Sequence, residues 1–171
     1  NISKLRVSLD KLCVESSIKS SELKYFWDKY GVPNRWDNAT TIYIKRMLQH
    51  ALPEENRNFI TQKLFQEYVG ISQKELSNEL YMSVSEIREL VKEGMHVGSH
   101  GSRHYWLNKI TKENQRIDIQ DSLEFLEDVG ASTKDWVMCY PYGAYNSDTL
   151  SLINSLGAKI GITCEARKAN L

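Results

Sequence analysis

The sequence predicts an α/β fold in which parallel strands alternate with helices behind a purely helical opening segment. Two observations carry this. Glycine is unevenly spread: only Gly31 and Gly70 precede residue 94, while seven of the nine glycines lie between Gly94 and Gly161. The hydrophobic pattern also changes near Ser83, from helical periods alone to strand, helix, strand, helix, strand. That alternation argues for parallel strands joined by helical crossovers. The expected organisation is a helical segment over 1–82 and a β/α portion over 83–171.

Leu5, Leu9 and Leu12 make the first helical stripe. Leu23, Phe26 and Trp27 begin a second, which should stop near Gly31-Val32-Pro33 because proline disfavours helix in the residue before it. Ile44, Met47, Leu48 and Ala51 recur at the 3.6-residue period. Pro53 suits a first helical position, and Ile60, Leu64 and Tyr68 form the next apolar face, widened by Phe65 and Val69. Ser72 with Glu75, and Ser83 with Glu86, are capping-box pairs. The helix from Ser83 should turn Ile87, Leu90 and Val91 inward and end at Gly94. A strand is expected at once, with Met95, Val97 and Ser99 alternating against His96 and Gly98. Thr111 should open a long helix bearing Ile119, Leu123 and Leu126 and closed by Gly130. Trp136 to Cys139 reads as a strand. Asn146 caps a helix through Leu156, closed by Gly157, and Ala158 to Cys164 is the last strand.

The 171 residues suffice for one domain with a sizeable core. Lysine plus arginine and aspartate plus glutamate each number 22, so the formal net charge is zero and nothing points to nucleic acid. No apolar run approaches the roughly 20 residues of a membrane span, and the opening residues do not read as a secretory h-region. Cys13, Cys139 and Cys164 are widely spaced and odd in number, which suggests free thiols and a reducing, cytoplasmic setting. The chain starts at Asn1 within a helical pattern, as a piece of a longer protein would. Oligomeric state has no signature in the sequence.

Chemistry concentrates in two runs. In Gly98-Ser99-His100-Gly101-Ser102-Arg103-His104, two imidazoles stand four residues apart, and on a helical turn one ion could meet both. The same spacing also occurs on ordinary surface helices. The second run is Cys139-Tyr140-Pro141-Tyr142-Gly143-Ala144-Tyr145-Asn146, where Pro141 fixes one backbone angle and Gly143 frees another. On local sequence it reads first as a proline-directed turn with two packing tyrosines, and otherwise as a stiff loop holding an N–H toward a substrate oxygen. Both runs follow predicted strands, at the ends where α/β folds bind ligands. Other residues read more blandly. His96 suits a packed histidine, His50 a helix C-terminus, Cys139 a small apolar filler and Asp135 a strand entry. Trp27, Trp36 and Trp136 read as core, whereas Tyr105 and Trp106 could be core or could line a sugar site.

From Ser83 to Thr163 the order of helix, Gly-Met-His-Val-Gly-Ser-His-xxx-His, helix, strand, Tyr-Pro-Tyr-Gly-x-Tyr-Asn, helix and Gly-Ala-Lys-Ile-Gly-Ile-Thr resembles the polysaccharide deacetylases of the NodB-homology type, carbohydrate esterase family four. The resemblance implies a partial NodB-type distorted (β/α) barrel, with residues 1–82 an insertion within the deacetylase domain. It implies that His100 and His104 bind a divalent metal, zinc above all, and that the backbone N–H of Tyr142 serves the oxyanion. Tyr140, Pro141, Gly143 and Trp106 would border an N-acetylated amino-sugar polysaccharide or oligosaccharide.

Three features of the family pattern are missing. No Asp-Asp pair supplies the third ligand and the general base, since Asp10, Asp28 and Asp37 have other surroundings. Cys139 stands where an arginine is frequent. No histidine follows His104, so the late general acid is absent. With two ligands of the usual three, this chain alone is expected to bind metal weakly and to be inactive. A sugar-binding or scaffolding module that keeps the fold without catalysis is the competing expectation. A helical protein-interaction domain within residues 1–82 is a third, and it requires a long exposed apolar stripe.

Overall fold

The computed structural model describes residues 1–166 and Lys168. It divides into two compact units, the first ending at Glu79 and the second starting at Leu80.

The first unit is helical throughout. In α1 (Ile2–Glu15), Asn1 caps the start by accepting the Ser3 amide at 3.0 Å, and Leu9 and Cys13, one turn apart, are buried. Helix α2 (Ser20–Tyr30) stops at Gly31 as the proline two residues on requires. Asn38 caps α3 (Ala39–Arg46), accepting from Thr41 at 2.9 Å. The period then loosens into a π-turn over Met47–Ala51, closed by the Leu52 amide on the Met47 carbonyl. Pro53 ends it and stands as the cap of α4 (Glu54–Tyr68), one position earlier than its expected place inside the helix. Helix α5 (Gln73–Leu80) begins with the anticipated Ser72–Glu75 pairing.

The core of this unit joins Leu9 and Cys13 to Tyr43, Ile44, Met47, Leu52, Ile60 and Leu64. Tyr43 is fully buried, yet its hydroxyl reaches Asp10 Oδ1 at 2.9 Å. The Arg6 guanidinium lies 3.6 Å from the centroid of the Trp27 ring, and its Nε contacts Asp10 at 3.4 Å. Two expectations fail here. Tyr68 and Val69 lie at the end of α4 with more than two fifths of their surface exposed. Trp36, expected in the core, is 80% exposed, because Asn34 folds residues 34–37 into a turn by accepting the Trp36 and Asp37 amides. Val7 and Val14 on α1 are exposed singly, which is ordinary for a protein surface.

The second unit opens with α6 (Val84–Lys92) behind the Ser83–Glu86 capping box. Leu90 is 37% exposed instead of inward. The expected strand from Met95 reduces to a single residue. Ser99 alone pairs with the sheet, giving its amide to Val137 at 2.9 Å and accepting from Cys139 at 2.9 Å. Met95 and His96 are exposed, so His96 is not a packed histidine. Helix α7 (Lys112–Asp128) starts at the Thr111 cap. Strand β1 (Trp136–Cys139) follows Asp135, whose left-handed backbone (φ 57°) turns the chain into the sheet.

Asn146 and Thr149 cap α8 (Ser147–Ser155) reciprocally, at 3.0 and 3.1 Å. Strand β2 (Ala158–Ile162) ends two residues short of the expected Cys164. It pairs parallel with β1, Trp136 opposite Ala158 and Cys139 opposite Ile162. With Ser99 on its other side, β1 is the middle of three parallel extended segments. The fold is α/β as expected, but among the described residues the sheet has two strands and a bridge, and no closed barrel is formed. Leu107, Ile119, Trp136, Met138, Tyr140, Leu152 and Ile153 form the core, and the Trp136 indole donates to the Leu156 carbonyl at 2.9 Å.

Candidate active site

Both chemical runs emerge from the carboxyl side of this sheet. Residues 100–104 are not helical, so the two histidines do not meet by sharing a helix face. Left-handed conformations at Gly101 (φ 72°) and His104 (φ 56°) fold the segment back instead. The two imidazole centroids come to 4.7 Å, with the rings tilted by 62°. His104 sits edge-on to the Tyr142 ring at 4.6 Å, and Tyr142 stacks on Trp106 at 4.9 Å. Four of the expected site residues, three from the two separate runs and Trp106 just past the first, therefore form one continuous line of rings.

His100 is tied to the second run directly. Its Nδ1 lies 2.6 Å from the Cys139 carbonyl oxygen. A carbonyl only accepts, so Nδ1 carries the proton, and in the neutral ring Nε2 keeps its lone pair, the form a metal ligand needs. Cys139 thus matters through its backbone and not as a filler alone. Burial lowers the pKa of His104 below the ordinary imidazole value, the neighbouring His100 adds to the effect and Asp118 partly opposes it. His104 is therefore held neutral near pH 7, again as coordination requires.

The second run turns tightly at Pro141–Gly143. Gly143 and Ala144 donate their amides back to Tyr140 and Pro141, both at 2.9 Å, and Tyr142 adopts φ 58°. Tyr140 and Pro141 are buried. Tyr140 stacks on Tyr145 at 4.8 Å, so its side chain and that of Pro141 pack the base of the turn. Trp106 and Gly143 are half-buried and Tyr142 is more open.

The pattern reading missed Asp118. It lies on α7, fully buried, and Oδ1 accepts the Arg103 amide at 2.7 Å, while the Ser102 amide favours the charged form of the same carboxylate. Burial raises the Asp118 pKa, against the two amides and the Arg103 guanidinium. The Arg103 side chain turns back to Asp121 at 2.7 Å. Four residues along α7 from Asp118, the Ser122 hydroxyl donates to the Ile119 carbonyl, leaving its oxygen to accept from Ser99 at 2.7 Å. The available signal was a polar stripe, Gln115, Asp118 and Ser122, at helical spacing on the face that also carries Ile119 and Leu126, all of them buried.

His100 in its tautomer and His104 in its neutral form suit a divalent cation. No group of three histidine, cysteine, aspartate or glutamate side chains gathers around a common point among the described residues. The two histidines are thus candidate ligands that fall short of a full set among those residues.

A family model described as polysaccharide deacetylase matches residues 40–161, beginning in α3 and taking in both chemical runs. The "Putative polysaccharide deacetylase YxkH" of Bacillus subtilis (strain 168) is 25% identical over 97 residues, which cover 57% of this chain and 34% of the relative. The chain thus aligns with about a third of that relative's length. No solved structure matches it significantly.

Proposed function

Because the chain belongs to the polysaccharide deacetylase family, by a match over residues 40–161, we propose that it carries part of the active site of an enzyme that removes N-acetyl groups from amino sugars of a surface polysaccharide or its precursor. The observation that supports this most is the convergence of His100, His104 and Tyr142, with ring centroids 4.7 and 4.6 Å apart in sequence of contact. His100 and His104 would hold a divalent cation, zinc being well matched to imidazole. Such an ion, once bound, polarises an acetamide carbonyl and acidifies its water. The Tyr142 N–H is the proposed donor to the carbonyl oxygen as negative charge collects there, a contact worth about 3 kcal/mol when well placed. The stacked Trp106 and Tyr142 rings offer a face to the sugar. Water is consumed, the C–N bond breaks, and acetate leaves with a free amine on the sugar. The thiols at Cys13, Cys139 and Cys164 accord with a reducing compartment, and the cytoplasm is the proposed location.

Two ligands do not complete a catalytic zinc site. The 171-residue chain should therefore release no acetate from chitooligosaccharides by itself. A longer natural protein that contains it together with an Asp-Asp pair should release acetate, and should lose that activity on His100→Ala. Full activity in that variant would refute the deacetylase reading.

One observation favours a second reading. With no third ligand group near the histidines among the described residues, and Cys139 where an arginine is frequent, the chain also suits a carbohydrate-binding or scaffolding module. Saturable chitooligosaccharide binding without acetate release, by a full-length protein that lacks the Asp-Asp pair, would select this reading.

A further inference from the structure

We infer that Asp118 is the positioning residue that sets the turn between the two imidazoles, acting on them through the backbone of Arg103. The inference deepens the metal reading above and rests on it for its functional weight. Three observations carry it. First, the carboxylate is completely buried and its Oδ1 accepts, at 2.7 Å, the amide of Arg103, the residue immediately before His104. Second, its other oxygen, Oδ2, has no hydrogen-bond partner in the described structure, and a β-carbon built on Gly101 would lie 2.5 Å from it. Gly101 also holds a left-handed φ of 72°. The loop is thus pressed so closely on the carboxylate that only glycine fits, for space and for backbone angle. Third, the same face of α7 grips the loop on either side of this point. Ser122 holds Ser99 at 2.7 Å, and Asp121 holds the Arg103 side chain at 2.7 Å.

A buried carboxylate with an orphaned oxygen is an expensive core residue, and an apolar side chain of similar size would cost less. What the apolar residue would lack is an acceptor for the Arg103 amide. Without that acceptor the loop keeps its side-chain ties from Ser99 to Ser122 and from Arg103 to Asp121, but the backbone immediately before His104 loses its bond to α7. Asp118 touches neither imidazole in any described hydrogen bond, and it is a positioning residue and not a catalytic one.

Three measurements on the 171-residue chain test this. In the wild type, the amide proton of Arg103, an exposed residue, should exchange slowly with deuterium because it is bonded to a buried carboxylate. In the apo protein, an NOE between the His100 and His104 ring protons should survive Asp118→Asn, which keeps an acceptor oxygen, and vanish in Asp118→Leu. Asp118→Leu should also weaken zinc binding by about ten- to a hundredfold, the usual range for a partner one shell behind a ligand, while Asp118→Asn keeps most of the affinity. Exchange of the Arg103 amide at an unprotected rate overturns the inference without any variant needing to fold. So does a folded Asp118→Leu protein with the ring NOE and zinc affinity of wild type. If wild type binds no zinc, while the Arg103 amide is protected and the NOE depends on Asp118, the ligand assignment of the histidines fails and the positioning role of Asp118 stands.

Discussion

His100 donates from Nδ1 to the carbonyl oxygen of Cys139 at 2.6 Å, joining the histidine run to the end of the strand from which the Pro141–Gly143 turn departs. The bond fixes the tautomer of one imidazole and the distance between two motifs that are far apart in sequence.

Zinc titrated into the chain should bind weakly, and His100→Ala and His104→Ala should each reduce the affinity further by at least about tenfold, since even partners one shell out count for 10–100-fold. Tyr142→Phe should leave the affinity nearly unchanged, because its proposed contribution is a backbone N–H. Isothermal calorimetry on the three variants decides it. Equal loss in all three would contradict the assignment of ligands to the histidines alone.

His104 should titrate below the ordinary imidazole value near 6.5. The sign for stability follows from proton counts. Between that value, which applies to the unfolded chain, and the lower folded value, the unfolded state binds more protons. Stability should therefore fall as pH falls through this window and be unaffected by His104 above it. Cε1 proton shifts give the pKa, and urea midpoints at a series of pH values give the linkage. A midpoint dependence that vanishes in His104→Gln identifies the residue.

The three thiols should differ sharply in reactivity. Burial, with Asp10 adding, pushes Cys13 up to about 12, so at pH 8 almost no thiolate is present and the thiolate is the nucleophile. Cys164 is exposed and Cys139 half-buried. A disulfide reagent should modify Cys164 first and reach Cys13 only on unfolding. Peptide mapping of the labelled protein reads the order, and early labelling of Cys13 would mean that the first unit opens readily.

Gly161→Ala should destabilise the chain by about 1–3 kcal/mol, the usual range for overpacking. The added methyl would lie 2.2 Å from the Tyr140 hydroxyl oxygen. Tyr140→Phe removes that oxygen, so the alanine should cost less in its presence. A double-mutant cycle by chemical denaturation measures the coupling, and additive effects would show that Tyr140 moves aside at no cost.

What was legible in the sequence was local. Helix starts at Ser83, Thr111 and Asn146, and ends at Gly94, Gly130 and Gly157, depend on side-chain caps and on glycine in the left-handed region, all of which sit within a few residues of each other. The two chemical runs were visible for the same reason. The misreadings were non-local. Met95 to Gly98 alternate like a strand, but only Ser99 finds a partner. The HxxxH spacing suggested a helix, whereas the rings meet through left-handed Gly101 and His104. Trp36 was given to the core by its size, and an asparagine turn keeps it outside. Asp118 escaped because a carboxylate on a helix is normally assigned to solvent. Its burial depends on a loop that arrives from another part of the chain.

The middle position of β1 has a consequence for how this chain can change over time. Ser99 on one side and Ile162 on the other are registered to β1 and the residue after it by backbone hydrogen bonds, at 2.9 and 3.1 Å. Such a ladder is indifferent to side-chain identity. Side chains in the strand can therefore be exchanged while the backbone separation of His100 from Tyr142 stays as it is. Geometry and sequence are decoupled at this point of the fold, and a lineage could gain or lose catalysis here by exchanging a few side chains without rebuilding the site.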